Sequence, residues 1–343
     1  MRKTQPPTRR GMKPLVAERL LTESAAATVV FAGLAVLPLL TAGYSIYILP
    51  QYLLYGILAM SLGLLWGVTG ILSFGQAAFF AIGGYAMGLA AQRQLGGEPG
   101  YVALLVSLVA GAGLAGLVGY FLFSAGVRDV YFVVVTLALS IIVEQIAVSQ
   151  SSITGGYNGM FIPRVVFGLG GGRGIDLNDD TAIYYVVLLI TVAVYALLRA
   201  LLRSPFGKVL IAIRENEDRT IALGFNTSLY KTAAFALSGA IACLSGALYG
   251  THANFVSPSL AGPLFSTQVV VWAAIGGRQS FLGTLLGAVA VSALSNYLTA
   301  ITPEYWQLIV GLIFIIVIVA FRGGVAGAIE QLVQRGRKRS NDG

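Results

Sequence analysis

Two short stretches of the sequence contain residues that phosphate-binding loops use. Gly168 to Gly174 reads GLGGGRG, and Ser204 to Leu210 reads SPFGKVL, which contains the Gly-Lys pair of a Walker A motif. The first stretch lacks the GxGxxG spacing and a preceding strand pattern, so it is predicted to be a flexible loop. In the second, Leu202 stands where the first glycine is needed and Val209 where Ser or Thr holds magnesium. We therefore predict that this chain binds no nucleotide itself.

The sequence contains very few residues of the types that carry out enzymatic catalysis. The sequence contains one histidine, His252, and one cysteine, Cys243, both in apolar surroundings. A histidine-based triad would depend on His252 alone, and a metal site needs several ligands that this sequence does not place nearby. A single cysteine also excludes an internal disulfide framework. We predict no catalytic residue, no metal and no cofactor, and packing or helix-end positions for both residues.

The densest group of charges lies in the stretch AIRENEDRTIALG. Five of the six residues from Arg214 to Arg219 are charged, although only 10% of the chain is. Ser204 followed by Pro205 is typical of a helix start, and Gly224 of a helix end. The segment is predicted to form one or two short helices, which are too short to be stable without docking on a neighbour.

The same charges allow two interpretations. In the first interpretation, the segment is a charged loop in solvent. Glu215 and Arg219 have the i,i+4 spacing of a helical ion pair, and such a loop requires no further contact. Alternatively, the segment docks a partner, since Ala222 and Gly224 are small where bulk would obstruct one. The residues alone favour neither interpretation.

The elements that carry these residues are apolar. The 343-residue chain is 57% hydrophobic with a mean hydropathy of +0.81, and this exceeds the apolar content of soluble domains. A helix needs about 20 residues to cross a hydrocarbon layer of ~30 Å. We predict an all-α, polytopic membrane protein with about ten transmembrane or broken helices. They begin near Ala25, Tyr52, Ser73, Tyr101, Tyr131, Ile183, Thr232, Phe281 and Trp306, with a shorter run from Pro263 to Gly277.

Basic residues at both ends indicate the orientation. The net charge of +8 does not have the aromatic interleaving of a nucleic-acid groove, whereas the positive-inside rule places both termini in the cytoplasm. The predicted parts are basic tails at 1–24 and 322–343 and a transmembrane domain at 25–321, with an outer loop at 150–182 and a cytoplasmic loop at 203–231. The run from Ala25 is kept as a helix, because cleaving it as a signal peptide would break the even number of crossings.

The two halves of the chain contain comparable interruptions. Ser73, Gly75 and Gln76 interrupt an apolar run in the first half, and Pro258 and Pro263 interrupt one in the second. Broken helices at membrane depth line cavities, and the halves suggest a 5+5 internal repeat of the kind that transporters use. Glycines four residues apart permit close helix packing, and these pairs are Gly63 and Gly67, Gly84 and Gly88, Gly246 and Gly250, and Gly283 and Gly287.

Glu144 is the one acidic residue well inside an apolar run. A carboxylate at membrane depth is a functional candidate by default. The alternative is a glutamate that is protonated or reaches a wet cavity. Both interpretations stay open at this point.

Four stretches resemble the branched-chain amino acid ABC transporter permease family, in particular its M-type subunit. They are Leu72 to Ala86 (LSFGQAAFFAIGGYA), Thr154 to Met160 (TGGYNGM), Arg203 to Gly250 and Trp306 to Gly324. The resemblance extends from about Gln51 to Gly324. Arg219 and Thr220 replace the two alanines of the general coupling motif, and Gln279 and Phe281 also depart from the pattern.

This resemblance implies a permease subunit of an importer for branched-chain amino acids in a bacterial plasma membrane. It implies a second homologous permease, two ABC ATPase subunits that bind the ATP, and an external solute-binding protein as partners. The cytoplasmic loop would couple to the ATPases, with Gly224 at the glycine position and Asp218 at the acid position of the motif. The coupling residues would be Arg214, Glu215, Asn216, Glu217, Asp218, Arg219, Ala222 and Gly224.

Polarity and resemblance together suggest a translocation path. Its predicted residues are Ser73, Gln76, Glu144, Thr154, Gly155, Gly156 and Asn158. Related permeases make urea or short amides an alternative substrate. An ion-coupled secondary transporter is a further alternative, but it would show a relay of intramembrane ionisable residues, of which this sequence offers little beyond Glu144.

Overall fold

The computed structural model describes residues 12–40, 43–93, 99–127, 129–163, 167–168, 174–175, 180–305, 307–312 and 315. The tail at 322–343 and the centre of the glycine-rich stretch, 169–173, lie outside the described residues. The described chain is almost entirely helical, as the sequence predicts. The helices are α1 (Met12–Leu40), α2 (Tyr44–Gly63), α3 (Gln76–Gln92), α4 (Pro99–Ser124), α5 (Asp129–Ser149), α6 (Ser151–Thr154), α7 (Asp180–Arg203), α8 (Pro205–Glu215), α9 (Glu217–Ala222), α10 (Thr227–Ala253), α11 (Pro263–Gly276) and α12 (Phe281–Ile301).

Short irregular elements complete the fold. A π-helical segment, Leu64–Thr69, continues α2, and 3-10 turns form at Gly156–Asn158 and Pro258–Ala261. Strand β1 (Met160–Phe161) pairs antiparallel with β4 (Phe255–Val256). Strand β2 (Phe167–Gly168) pairs with β3 (Gly174–Ile175), and the two strands contain the first and last residues of the glycine-rich stretch.

The prediction of a polytopic α-helical membrane protein is confirmed. Among the described residues, six helices are long and apolar enough to cross a membrane. They are Tyr44–Thr69, Gly100–Ser124, Val130–Ser149, Asp180–Arg203, Thr227–Ala253 and Phe281–Ile301, and Ala25–Leu39 and Pro263–Gly276 are shorter apolar helices. The total of about ten crossings and the 5+5 repeat stay predictions.

Helix α1 begins earlier than the sequence analysis expected. It starts at Met12, inside the stretch assigned to the N-terminal tail. Pro14 suits the first turn of a helix, and the residues that follow it include good helix formers. The helix therefore extends beyond its apolar part.

Two groups of helices build the core. Helix α10 packs against α3 and α4, while α2 packs against α11 and α12. Between the groups, Tyr55 stacks on Trp272 and Tyr249, and Phe80 contacts Phe265. Helices of the first and second halves therefore pack against one another in both groups.

Glycines make the closest helix crossings. Gly246 of α10 lies against the backbone of Phe80 in α3, and Gly287 of α12 lies against Gly276 in α11. A Cβ atom at Gly246 would overlap the Phe80 carbonyl group. Of the spaced glycines, Gly67, Gly246 and Gly287 therefore lie where only a missing side chain lets backbones approach, whereas a Cβ atom at Gly63 would make ordinary contacts.

This packing predicts the effect of one added methyl group. Gly246→Ala should destabilise the purified protein by about 1 to 3 kcal/mol, because overpacking forces the two backbones apart. Gly113→Ala is the matched control, since its added Cβ would have no neighbour from another described segment within 4 Å. Thermal unfolding in detergent measures both, and equal melting temperatures for the two variants would contradict the crossing.

Candidate functional site

Local capping fixes the two short helices of the charged segment. The Ser204 hydroxyl accepts a hydrogen bond from the Gly207 amide at 3.2 Å and caps α8, with Pro205 in the first turn. Asn216 has an extended backbone and serves as both the C-cap of α8 and the N-cap of α9. Its side-chain oxygen accepts from the Arg219 amide at 2.8 Å. The predicted helix start is confirmed, and the segment contains two helices.

The end of this segment also follows the prediction, but the predicted ion pair does not form. Gly224 follows the end of α9 with a φ of +89°, in the left-handed region. Asn216 breaks the helix between Glu215 and Arg219, so these two residues lack i,i+4 helical geometry. Glu215 pairs instead with Arg214, at 3.1 Å.

Two of the charges face the membrane bundle rather than solvent. The Arg214 guanidinium donates to the backbone carbonyl of Gly67, in the π-helical segment that ends α2. The Glu217 carboxylate lies 2.6 Å from the Lys231 ammonium group and accepts from the Thr227 hydroxyl at 3.0 Å. These contacts dock α8 on α2 and α9 on α10.

Lys231 is a buried cation at the start of α10. Only 6% of the residue is exposed, and its ammonium group lies 5.2 Å from the centroid of the Phe123 ring in α4. A buried charge is costly unless it is paired. The pair with Glu217 therefore fixes the position of α9 on the bundle.

The remaining residues form an exposed surface, here called the α9 surface. It carries both signs of charge together with apolar side chains, and Leu223 is 70% exposed. Its members are Glu215, Asp218, Arg219, Ile221, Ala222, Leu223, Gly224 and Phe225. A docked pair of short helices with an exposed apolar edge has the anatomy of a protein interface.

The first-half interruption lies at 70–75, between the π-helical segment and α3. Ser73 is fully buried, and its hydroxyl accepts from the Gly75 amide at 3.1 Å. Gln76 is buried against α2, where its side-chain oxygen accepts from the Ser61 hydroxyl at 3.0 Å. Its amide nitrogen has no hydrogen-bond partner among the described residues. Both predicted residues therefore lie at the interruption itself.

Helix α5 contacts the interruptions of both halves. The Thr136 hydroxyl accepts from the Phe74 amide at 3.1 Å, and the Ser140 hydroxyl donates to the Phe74 carbonyl at 2.7 Å. Ser140 also accepts from the Ser266 hydroxyl of α11 at 3.2 Å. One face of α5 thus joins 70–75 to the start of α11.

Glu144 extends this polar face of α5. Its carboxylate lies against Gly262, the N-cap residue of α11. The N-terminus of a helix carries partial positive charge and favours a carboxylate beside it. This contact gives a physical reason for an acidic residue at this depth.

The predicted residues at 154–158 lie at the C-terminal end of α5. The Thr154 hydroxyl donates to the carbonyls of Ala147 and Gln150, at 2.5 and 2.8 Å. Gly156 is buried, whereas Gly155 and Asn158 are exposed. The structure therefore places these residues beyond Glu144, apart from the interruption at Ser73 and Gln76.

The sequence analysis did not identify Thr136, Ser140 and Ser266, which form the hydrogen bonds between α5 and the two interruptions. A signal was present, since Thr136, Ser140 and Glu144 recur every fourth residue in an apolar run and so share one helix face. It also missed Lys231, a lysine beside the first apolar residues of α10. The partners of these residues come from distant parts of the chain.

Residues 44–318 match the family described as branched-chain amino acid transport system / permease component. The chain belongs to this family. Several relatives are named as permease proteins. The high-affinity branched-chain amino acid transport system permease protein LivM of Salmonella typhimurium is 29% identical over 301 residues, covering 82% of this chain and 70% of the relative. The role of the chain is thus that of a transport component.

Two further relatives differ in name. LivH of Escherichia coli, a permease protein of the same named kind of system, is 21% identical over 288 residues, covering 80% of this chain and 92% of the relative. The ribose import permease protein RbsC of Haemophilus influenzae is 25% identical over 230 residues, covering 64% of this chain and 68% of the relative. No solved structure matches the chain significantly.

The buried pair at the start of α10 predicts an asymmetry between two variants of this permease. Glu217→Gln should destabilise the protein by about 1 to 3 kcal/mol, because it leaves a buried ammonium group without its anion. Lys231→Met should cost less, because it removes the buried charge altogether. Glu215→Gln is the control, since that side chain is 70% exposed. Chemical unfolding would refute the pair's role if Glu217→Gln and Glu215→Gln unfolded at the same denaturant concentration.

Proposed function

We propose that this chain is the permease subunit of an ABC importer that moves branched-chain amino acids across a bacterial inner membrane. It forms the translocation path and couples to separate ATPase subunits. The observation that carries this proposal is the α9 surface, an exposed mixed apolar and charged face on helices that are firmly docked on the bundle. Membership of the permease family supports the same role.

The proposed complex contains four further subunits. A second homologous permease completes the membrane part, two ABC ATPases hydrolyse ATP, and a solute-binding protein delivers the amino acid from outside. The names of the LivM and LivH relatives, which belong to one kind of transport system, support a pair of unlike permeases. The α9 surface is proposed to bind an ATPase, and neither nucleic acid nor a resident cofactor takes part.

The proposed orientation follows from charge. Both basic termini lie in the cytoplasm by the positive-inside rule, and anionic lipid headgroups attract them. Helices α8 and α9 then lie on the cytoplasmic side, where ATP is available. The β1–β4 pair, on the far side of the bundle, lies outside.

The translocation path is proposed to follow α5 past both interruptions. It includes Ser73, Gln76, Glu144 and the exposed backbone and amide of Gly155 and Asn158, with buried Thr154 and Gly156 supporting that loop. The hydrogen bonds of Thr136 and Ser140 to Phe74 support this route. Such polar groups offer hydrogen bonds to a zwitterionic amino acid at a depth where water is scarce.

Uptake by the reconstituted complex tests the function and the substrate together. Proteoliposomes that contain this permease, its partner permease, the ATPases and the binding protein should accumulate leucine, isoleucine or valine only with ATP on the ATPase side. Urea, acetamide and ribose should not compete. Uptake at full rate without the ATPases would instead indicate a secondary transporter, and competition by urea or acetamide would favour the alternative substrate class.

The α9 surface predicts variants that uncouple transport. Ala222→Leu adds bulk to an exposed helical residue, and Asp218→Arg reverses an exposed charge, so both should reduce ATPase binding and uptake about tenfold or more. Gly224→Leu should do the same, although none of the described residues lies within 4 Å of its added Cβ.

Matched controls separate a partner clash from misfolding. Asp218→Asn keeps the polar first turn of α9, and Gly224→Asn tolerates the left-handed backbone. Membrane insertion and thermal stability should stay unchanged in Ala222→Leu. Full uptake by Ala222→Leu and Asp218→Arg would show that the α9 surface is only solvated.

A further inference from the structure

The π-helical segment Leu64–Thr69 ends α2 in an unusual way. Gly70 adopts a left-handed conformation with a φ of +80°, and the amides of Gly70 and Ile71 both donate to the Leu65 carbonyl. The chain then leaves the helix, so the carbonyls of the last turn have no continuing helix to bond with. Such segments occur often at functional sites.

Arg214 of α8 supplies a hydrogen-bond donor to the last turn of α2. Its guanidinium donates to the Gly67 carbonyl, and its Cγ atom lies beside Gly70. A cation at the C-terminus of a helix is favoured by the partial negative charge there. The end of α2 is therefore held by a side chain of α8, with 29% of that side chain exposed.

A second connection reaches Gly67 from the other half of the chain. The backbone carbonyl of Arg278 lies so close to Gly67 that a Cβ atom there would overlap it. The Arg278 guanidinium also lies 5.2 Å from the centroid of the Trp66 ring. Residues 277–280 form the turn between α11 and α12. Gly67 thus lies between α8 and that turn.

We propose that Arg214 is the positioning residue through which movement of α8 reaches the interruption at 70–75 and the turn at 277–280. The inference rests on the proposed function, since it gives the coupling segment a specific route into the bundle. Movement of α8 withdraws the donor from Gly67 and releases the last turn of α2. That turn leads directly into 70–75, whose backbone is bonded to Thr136 and Ser140 of α5.

This role separates Arg214 from the other charges of the segment. Asp218 and Arg219 lie on the exposed α9 surface, whereas the guanidinium of Arg214 binds a backbone carbonyl of the membrane bundle. Loss of Arg214 should therefore leave ATPase binding intact and interrupt a later step. Loss of the α9 surface should reduce ATPase binding itself.

The first measurement compares uptake with hydrolysis in the reconstituted complex. Arg214→Gln should keep ATP hydrolysis within about twofold and lower the amino acid imported per ATP about tenfold, a typical coupling between two sites. Arg214→Lys should recover part of that ratio, because it restores one donor and the charge. Lys208→Gln, which removes an exposed charge of α8, is the control and should match the unaltered complex. An unchanged ratio in Arg214→Gln would overturn the proposal.

The second measurement follows the interruption directly and needs no substrate. Ile71→Cys in a Cys243→Ala background places the one thiol of the chain at 70–75. ATP should change the rate of its reaction with a maleimide in the complex with Arg214, and not in the complex with Arg214→Gln. An equal ATP-dependent change in both would overturn the proposal. If the complex imports no branched-chain amino acid, the proposed function fails, while this comparison still decides the role of Arg214.

Discussion

Backbone polar groups inside a hydrocarbon layer have to be satisfied within the protein, and this constraint determines where the helices of this permease can break. At the first-half interruption, short hydroxyl side chains of α5 supply the missing partners. The hydroxyl of Thr136 accepts from the Phe74 amide at 3.1 Å, and that of Ser140 donates to the Phe74 carbonyl at 2.7 Å. Thr154 does the same for the end of α5. The interruptions are therefore specified by the residues that face them, several of which lie on α5.

The cost of removing a charge from water explains the partners of the cations at the α8 end of the bundle. Arg214 and Lys231 are partly or wholly removed from solvent, and each has a defined partner, the Gly67 carbonyl and the Glu217 carboxylate. From the sequence alone, these residues would be assigned as charged residues of a loop. In the structure they attach two short helices, which would be unstable alone, to the ends of α2 and α10.

Local sequence signals predicted the elements well. Ser204 with Pro205 predicted the start of α8, Gly224 the end of the α9 turn, and Pro263 the break before α11, because capping and proline geometry depend on neighbouring residues only. The apolar content predicted a polytopic helical protein for a similar reason. The family resemblance and the composition both indicated a polytopic membrane protein.

The directions of side chains could not be predicted in this way. The contact of Arg214 with Gly67 and that of Ser140 with Phe74 join residues far apart in the sequence. The pairing of Glu215 with Arg219 was wrong because Asn216 breaks the helix between them. Helical spacing predicts a shared face only where the helix is continuous, and long-range packing decides the rest.

The glycine crossings also determine which parts of the bundle can move. Where Gly246 meets the backbone of Phe80, and Gly287 that of Gly276, one helix cannot slide along the other without a backbone collision. We therefore expect α3 and α10 to move as one unit, and α11 and α12 as another. Between these two units lies α2, whose Tyr55 ring contacts Phe80 of α3 and Trp272 of α11. Because these ring contacts involve side chains rather than closely packed backbones, a relative movement of the two units would change them before it changed the glycine crossings.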